Sequence, residues 1–201
     1  SLYYKRNNRD IRAVDDISFS LTSPGETIGI VGESGSGKSS LALALMRLLP
    51  RNVSVYQGQI LLEDVDLMRL SPEQFRKEIR WKTIAMVFQG VMNSLNPVLK
   101  IGRQITERLV YEGPISEAEA KASAMNILGL VGLSDEVSQM YPHELSGGMK
   151  QRVILAMAII MNPRILILDE PTSSLDVSVQ AQVLNLLKTL KEERGMSMIF
   201  I

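Results

Sequence analysis

One loop constrains this chain more than any other feature. Gly32 to Ser39 reads Gly-Glu-Ser-Gly-Ser-Gly-Lys-Ser, which fits the pattern G-x-x-x-x-G-K-[ST]. Upstream, Pro24-Gly25 marks a turn, and Thr27-Ile28-Gly29-Ile30-Val31 predicts a short strand buried in a parallel sheet. Downstream, Ser40 to Leu49 is rich in leucine and alanine and is stopped by Pro50, which predicts a helix. A strand, a glycine loop and a helix in that order form the core of a nucleoside-triphosphate-binding sheet. Gly32, Gly35 and Gly37 let the backbone curl so that its N–H groups face phosphate oxygens, and the helix adds its positive end. Lys38 then reaches the β- and γ-phosphates, and Ser39 holds Mg²⁺. The alternative is a Gly/Ser-rich turn that binds nothing, and the flanking strand and helix weigh against it.

At 201 residues and 45% hydrophobic content the chain has enough apolar material for a real core. Lysine plus arginine equals aspartate plus glutamate at 22 each, so no global field drives binding to nucleic acid or to an anionic membrane. Anions must be held by local sites. The sequence has no cysteine, which excludes disulfides and thiolate metal sites and suits a reducing compartment. No apolar run approaches membrane-spanning length and no signal pattern appears at the N-terminus. The expectation is a soluble chain that docks onto membrane proteins. Met196 to Ile201 reads as a buried strand, and a parallel sheet that reaches it is expected to continue into further layers.

A second acidic site follows at a distance. Arg164 is followed by four apolar residues that run into Asp169-Glu170. In a phosphate-loop protein, an aspartate at the C-terminal end of a neighbouring strand lies beside bound Mg²⁺. Glu170 is then placed to orient the attacking water or take its proton. A strand ending in solvated carboxylates is the plainer alternative. Between the two motifs lies a long insertion, from about Gly90 to Asn162. Its middle, Ser116 to Leu133, predicts a helix: Ser116 and Glu119 have capping-box spacing, and Ala120, Ala124, Ile127 and Leu128 recur at helical period. Near its end, Ser146-Gly147-Gly148 precedes a further helix-like run, which makes a second helix N-terminus able to attract an anion.

These residues together resemble the nucleotide-binding subunit of ATP-binding-cassette (ABC) transporters, and the resemblance covers essentially the whole chain. Gly32 to Ser39 looks like the Walker A motif, Gln89 the Q-loop glutamine, Leu145 to Met149 the signature, Asp169 and Glu170 the Walker B aspartate and catalytic glutamate, and Ser174-Leu175-Asp176 the D-loop. Met92 to Pro97, Tyr141 to Glu144 and Asp176 to Gln182 are similar to the peptide and nickel importer branch, as is Met149 where the wider family usually has glutamine. Gly90-Val91 departs from that branch, where an acidic residue and proline are common.

The resemblance implies an α/β fold with a phosphate-loop core of mostly parallel sheet, an N-terminal antiparallel β portion and an inserted α-helical subdomain. Residues 1–89 and 163–201 would form the ATP-binding core, truncated at its C-terminal end, and 90–162 the subdomain that carries the signature. ATP and Mg²⁺ are the implied ligands. Gly32, Ser34, Gly35, Ser36, Gly37, Lys38, Ser39 and Ser40 cradle the phosphates. Ser39, Gln89 and Asp169 attend the metal, and Glu170 and Gln89 attend catalysis. Ser146, Gly147, Gly148 and Asp176 complete the ATP site of a second, head-to-tail cassette. Tyr4 is the expected adenine platform, with Tyr3 as runner-up, while Arg6, Arg9 and Arg12 read as a solvated face. Membrane-spanning permease subunits would dock beside the Q-loop, where Met92, Leu95, Val98 and Leu99 supply apolar contact, with interior packing of those four as the alternative. Such a subunit lies peripherally on the cytoplasmic face of the membrane and meets an extracytoplasmic solute-binding protein only indirectly. The family's switch histidine follows the next strand, and the sequence stops at Ile201 short of it, so the chain as given is expected to bind ATP and hydrolyse it poorly. The lone histidine, His143, precedes the signature and reads as structural. Two other classes stay open: a soluble ABC ATPase of DNA repair or translation, and a nucleotide sensor without turnover.

Overall fold

The computed structural model describes residues 1–7, 9–90, 94–113, 115–173 and 175–201. The N-terminal segment folds as an antiparallel pair, β1 (Leu2–Arg6) and β2 (Arg9–Val14), and the chain then enters β3 (Thr27–Gly29), the phosphate-type loop and helix α1 (Lys38–Leu45). Strand β4 (Val53–Tyr56) returns to pair with β1, giving an antiparallel sheet in the order β2-β1-β4. A two-stranded ribbon, β5 (Leu61–Leu62) and β6 (Val65–Asp66), leads into the short helix α2 (Pro72–Gln74). Ser71 and Gln74 close a capping box there, and the chain widens into a π-helical turn over Phe75–Ile79.

Strand β7 (Ile84–Val87) is followed by helices α3 (Ile101–Glu112), α4 (Glu117–Leu130) and α5 (Gly147–Ile159). The chain then forms β8 (Ile165–Leu168), α6 (Val177–Arg194) and β9 (Ser197–Phe200). Among the described residues, β3, β9, β8 and β7 make one all-parallel sheet in that order. Crossovers through helices are what parallel strands require. The register lines up one row of residues across the sheet: Gly29 pairs with Phe200, Phe200 with Leu168, and Leu168 with Val87. Every loop leaving the C-terminal end of a strand therefore starts from the same line.

Helix α4 shows how far local sequence determines structure. Ser116 Oγ accepts from Glu119 N while the Glu119 carboxylate accepts from Ser116 N, and Ala120, Ala124, Ile127 and Leu128 are its buried residues. The largest apolar core joins Ala124, Ile127 and Leu128 to Ile101 and Ile105 of α3, Val153 and Leu155 of α5, and Val87, Leu166 and Leu168 of the sheet. The inserted helices and the central strands thus share one continuous interior. A second core, on the other side of the sheet, packs Ala42 and Met46 against Phe75, Met86, Ile167 and Ile199.

Three expectations need correction. Strand β3 is not interior: it is the edge of the described sheet, Thr27 and Gly29 are exposed, and Val31 is 97% exposed. Its pairing to β9 is extended by Ile30 N–H donating to Phe200 O at 2.7 Å and by Met198 N–H donating to Glu26 O at 2.9 Å. A strand paired on one side alone leaves half its surface open. Helix α1 ends at Leu45 rather than running to Leu49, because Arg47 takes a left-handed backbone, φ +51°, and Arg80 Nη2 donates to the carbonyl of Met46 at 3.0 Å. Leu95 is 5% exposed and belongs to the main core, so it is not a surface contact. Val98 remains open at 75%, Leu99 is half-buried, and Met92 lies outside the described residues.

Candidate nucleotide-binding site

The glycine loop is shaped by close approach to β2. A Cβ on Gly37 would stand 1.8 Å from Ala13 O, and Gly37 has φ +94°, so neither the space nor the backbone accepts a side chain there. Gly37 is also the N-cap of α1 and offers no side-chain cap to the helix. The first N–H groups of α1 have no partner within the helix and face the loop. Gly32 is closed in by Ser36, whose Oγ would lie 2.9 Å from an added Cβ. Ser34 and Ser36 are exposed on the loop, and Ser39 and Ser40 are half-buried in the first turn of α1. Lys38 folds back over the loop: Nζ donates to Gly32 O at 2.6 Å and to Glu33 O at 2.7 Å. Its charge is therefore held where an incoming phosphate would meet it.

The acidic pair sits at the end of β8. Asp169 N–H donates to Val87 O at 2.9 Å, its side chain is 4% exposed, and its Oδ1 is buried with no hydrogen-bond partner. A buried carboxylate oxygen without a partner is costly and fits a site built for a cation. Glu170 has φ +47°, which an L-residue rarely adopts. Hydrogen bonds from Glu170 N to Ile201 O at 3.0 Å, and from Ser173 N and Oγ to Glu170 O, hold it there. That turn points its carboxylate toward Gln89, whose Nε2 donates to Glu170 Oε2 at 2.6 Å. The acidic strand was expected beside the loop strand. Strand β9 lies between them instead, so the ends of β3 and β8 are two strand spacings apart, about 10 Å.

The second glycine motif opens α5. Ser146 is its N-cap, with Oγ accepting from Met149 N at 3.3 Å. Gly148 is required by packing, since a Cβ there would meet Val179 Cγ1 of α6 at 2.7 Å. Beside it a depression of about 300 Å³ opens between Ser146, Met149, Arg152 and Gln182. Asp176 caps α6: its Oδ1 accepts from Ser178 Oγ at 2.7 Å and Val179 N at 3.0 Å. Those bonds, the Ser178 hydroxyl first and then the Val179 N–H, hold its carboxyl below the usual aspartate range. Ser174 lies outside the described residues. His143 is exposed and stacked on Tyr141, with ring centroids 5.8 Å apart.

The two tyrosines of β1 face opposite ways. Tyr4 is half-buried and, like Leu41, Leu49, Val53 and Tyr56, packs on the small core of Leu2, Val14 and Ala44. Tyr3 donates its hydroxyl to Asp15 and lies under Arg12, whose guanidinium carbon is 5.5 Å from the ring centroid. Sequence reading missed Ile11. It pairs directly with Tyr4 across β1 and β2 and stays open to solvent on that strand pair. An open depression of about 420 Å³ adjoins it, lined also by Arg6, Asn7 and Arg9. Counting back two residues from Ala13, whose carbonyl approaches the loop, points to Ile11, and Ile11 pairs with Tyr4 across the hairpin.

A parallel sheet with a glycine loop and two carboxylates on one edge defines a phosphate-loop ATP-binding cassette. Residues 14–173 match the family model described as ABC transporter, and the chain belongs to that family. It is 45% identical over 204 residues to the oligopeptide transport ATP-binding protein OppD of Bacillus subtilis (strain 168), covering 100% of this chain and 56% of that protein. It is 46% identical over 202 residues to the oligopeptide transport ATP-binding protein AppD of the same organism, covering 99% of this chain and 61% of that protein. The chain thus spans less than two thirds of the length of these curated relatives. Among solved structures it resembles a dimeric post-hydrolysis state of the ATP-binding cassette MJ0796 bound to ADP and Pi. There the TM-score is 0.84 at 30% identity, covering 98% of this chain and 83% of that one. Among the described residues, no helix is long and apolar enough to cross a membrane.

Proposed function

We propose that this chain is the ATP-binding and ATP-hydrolysing part of a peptide importer, working as one of two cassettes against membrane-spanning subunits. The observation that carries the reading is the row Gly29, Phe200, Leu168 and Val87. From that one line depart the phosphate loop, the Asp169-Glu170 pair and Gln89, which are the parts that phosphoryl transfer to water needs. The relatives, named as oligopeptide transport proteins, support peptides as cargo. The dimeric cassette neighbour supports pairing of two such chains.

In this reading the loop N–H groups and Lys38 bind the phosphates, with Ser34, Ser36 and Ser40 in the same cradle. Ser39, Asp169 and Gln89 hold Mg²⁺, and the unpartnered Oδ1 of Asp169 is the feature of the fold that suits it. Bound Mg²⁺ neutralises phosphate charge. Glu170 orients the attacking water and accepts its proton. Tyr4, with Ile11 beside it, forms the apolar wall for the base. Ser146, Gly147 and Gly148 offer a helix N-terminus to the nucleotide of the partner cassette, and Asp176 fixes the start of α6 behind them. Residues 90–162 act as the helical subdomain between core and membrane partner. The cytoplasmic face of the membrane is where such an assembly places this chain.

The test is calorimetric titration of the chain with Mg-ATP, followed by ATP turnover in the assembled transporter with and without peptide. Nucleotide binding by the chain and turnover stimulated by peptide are expected. A chain that folds and binds no nucleotide overturns the reading.

A further inference from the structure

Behind the Q-loop glutamine, one buried amide organises a stretch of main chain. Gln104, near the start of α3, is 5% exposed. Its Oε1 accepts from Asn96 N–H at 2.8 Å, and its Nε2 donates to Asn96 O at 3.0 Å and to Leu99 O at 2.8 Å. Both donors and the acceptor of the amide are thus committed to a single turn. The turn is also closed within itself: Leu99 N–H donates to Asn96 O at 3.2 Å, and Val98 N–H donates to Asn96 Oδ1 at 3.2 Å. Pro97, between them, fixes its own φ. A buried amide stripped of such partners is costly, so the turn and the helix hold each other.

This turn is where the chain that leaves Gln89 rejoins the inserted helices. Leu95, one residue before it, is buried in the main core. At the other end Gln89 is tied to Glu170 by its 2.6 Å bond. The connector is therefore held twice, once on the sheet and once on α3. The two kinds of hold at its far end differ in what they fix. Burial of Leu95 sets depth, but apolar contact has no direction. The Gln104 amide sets direction, because hydrogen bonds weaken steeply once they are bent.

We propose that Gln104 is a positioning residue for Gln89: it clamps the far end of the connector to α3, so that a displacement of the inserted helices against the sheet reaches the Gln89–Glu170 contact instead of being absorbed in a slack turn. The inference rests on the proposed function, which puts residues 90–162 between the core and the membrane partner, and it deepens that reading by naming a side chain through which the site is regulated. With the clamp made, α3 and the segment after Gln89 move as one unit. With it broken, Gln89 keeps its own bond to Glu170 whatever α3 does. Chemistry at the site survives the loss of Gln104, whereas its response to a stimulus arriving through the helices does not.

The experiment uses the full-length protein assembled with its membrane-spanning subunits and reads ATP turnover with and without peptide. Gln104→Met nearly conserves the volume of the side chain and removes the amide. Its KM for Mg-ATP and its turnover without peptide should stay within about twofold of the parent. The ratio of stimulated to unstimulated turnover should fall about threefold or more. Gln104→Glu, which keeps the acceptor for Asn96 N–H but sets a carboxylate against two carbonyls, should lose the ratio as well. A merely structural role would lower the active fraction, scaling both rates together and leaving the ratio at the parent value. That outcome overturns the inference, as does a Gln104→Met transporter that behaves as the parent in every respect. Should Gln104→Met fail to assemble, Pro97→Gly decides the matter, because Pro97 is exposed and its replacement loosens the same turn without disturbing the core. A lowered ratio in that variant supports the clamp, and a parent ratio overturns it. A parent transporter whose turnover peptide does not stimulate sinks the proposed function itself, and the inference with it.

Discussion

Gln89 Nε2 donates to Glu170 Oε2 across 2.6 Å, tying the segment after β7 to the residue that follows Asp169. The bond asks only that position 170 present an oxygen. Glu170→Gln keeps that oxygen and removes the basic carboxylate. Its unfolding free energy should stay within about 0.5 kcal/mol of the parent, and Mg-ATP affinity should be retained. Single-turnover phosphate release by the assembled transporter should fall about 100-fold or more. An undiminished rate would take Glu170 out of the role of base.

Gly37 and Gly35 both have positive φ, +94° and +80°, but only Gly37 presses against another backbone. Gly35→Ala should cost about 1 kcal/mol of stability, the strain of a left-handed alanine. Gly37→Ala adds a collision with Ala13 O and should cost about 3 kcal/mol or more, with loss of nucleotide binding. Urea unfolding of the two variants, side by side, measures the difference.

Gly148 and Val179 make a pair suited to a double-mutant cycle. The Cβ of Gly148→Ala would lie 2.7 Å from Val179 Cγ1. Overpacking should destabilise the chain by about 1–2 kcal/mol after the gain in helix propensity is subtracted. Adding Val179→Ala should recover part of that loss, giving a coupling of at least about 0.5 kcal/mol. Additive effects would mean that α5 and α6 shift apart instead of meeting at this point.

Asp176 gives a pH signature. Its carboxyl is held below the ordinary value, first by the Ser178 hydroxyl and then by the Val179 N–H, so the folded state favours the ionised form. That contribution is present above the unfolded aspartate pKa of about 3.9 and is lost as pH falls through the lower folded value. The stability gap between the parent and Asp176→Asn should therefore be steady at neutral pH and narrow in the acid range below about pH 4. Thermal melts across that range test it, and a gap that widens toward acid would contradict the assigned bonds.

Features set by neighbours in sequence were the ones the sequence disclosed. The Ser116 and Glu119 capping box, the buried stripe of α4, the Ser146 cap and the glycine loop each depend on residues within two helical turns. What depends on distant partners was hidden. Nothing in Thr27 to Val31 says that one side of the strand stays open. Nothing in Leu95 separates a core leucine from a docking one, because its fate depends on how the inserted helices close over it. Equally illegible is the meeting of four arginines over two rings, Arg47 and Arg80 over Phe75 and Arg76 and Arg108 over Tyr111, because they come from three stretches of chain that are far apart in sequence.

Strand β9 supplies none of the reacting side chains, yet it separates the loop strand from the acidic strand. Its residues reach back across the chain: Ser197 Oγ accepts from Gly25 N–H, 172 residues earlier. During synthesis, a chain that has emerged only as far as Glu170 already carries the phosphate loop, Gln89, the signature and both carboxylates. It lacks the spacer that fixes their distance. Under the proposed function, the spacing a nucleotide needs is therefore complete only once the slow, long-range pairing of β9 is made.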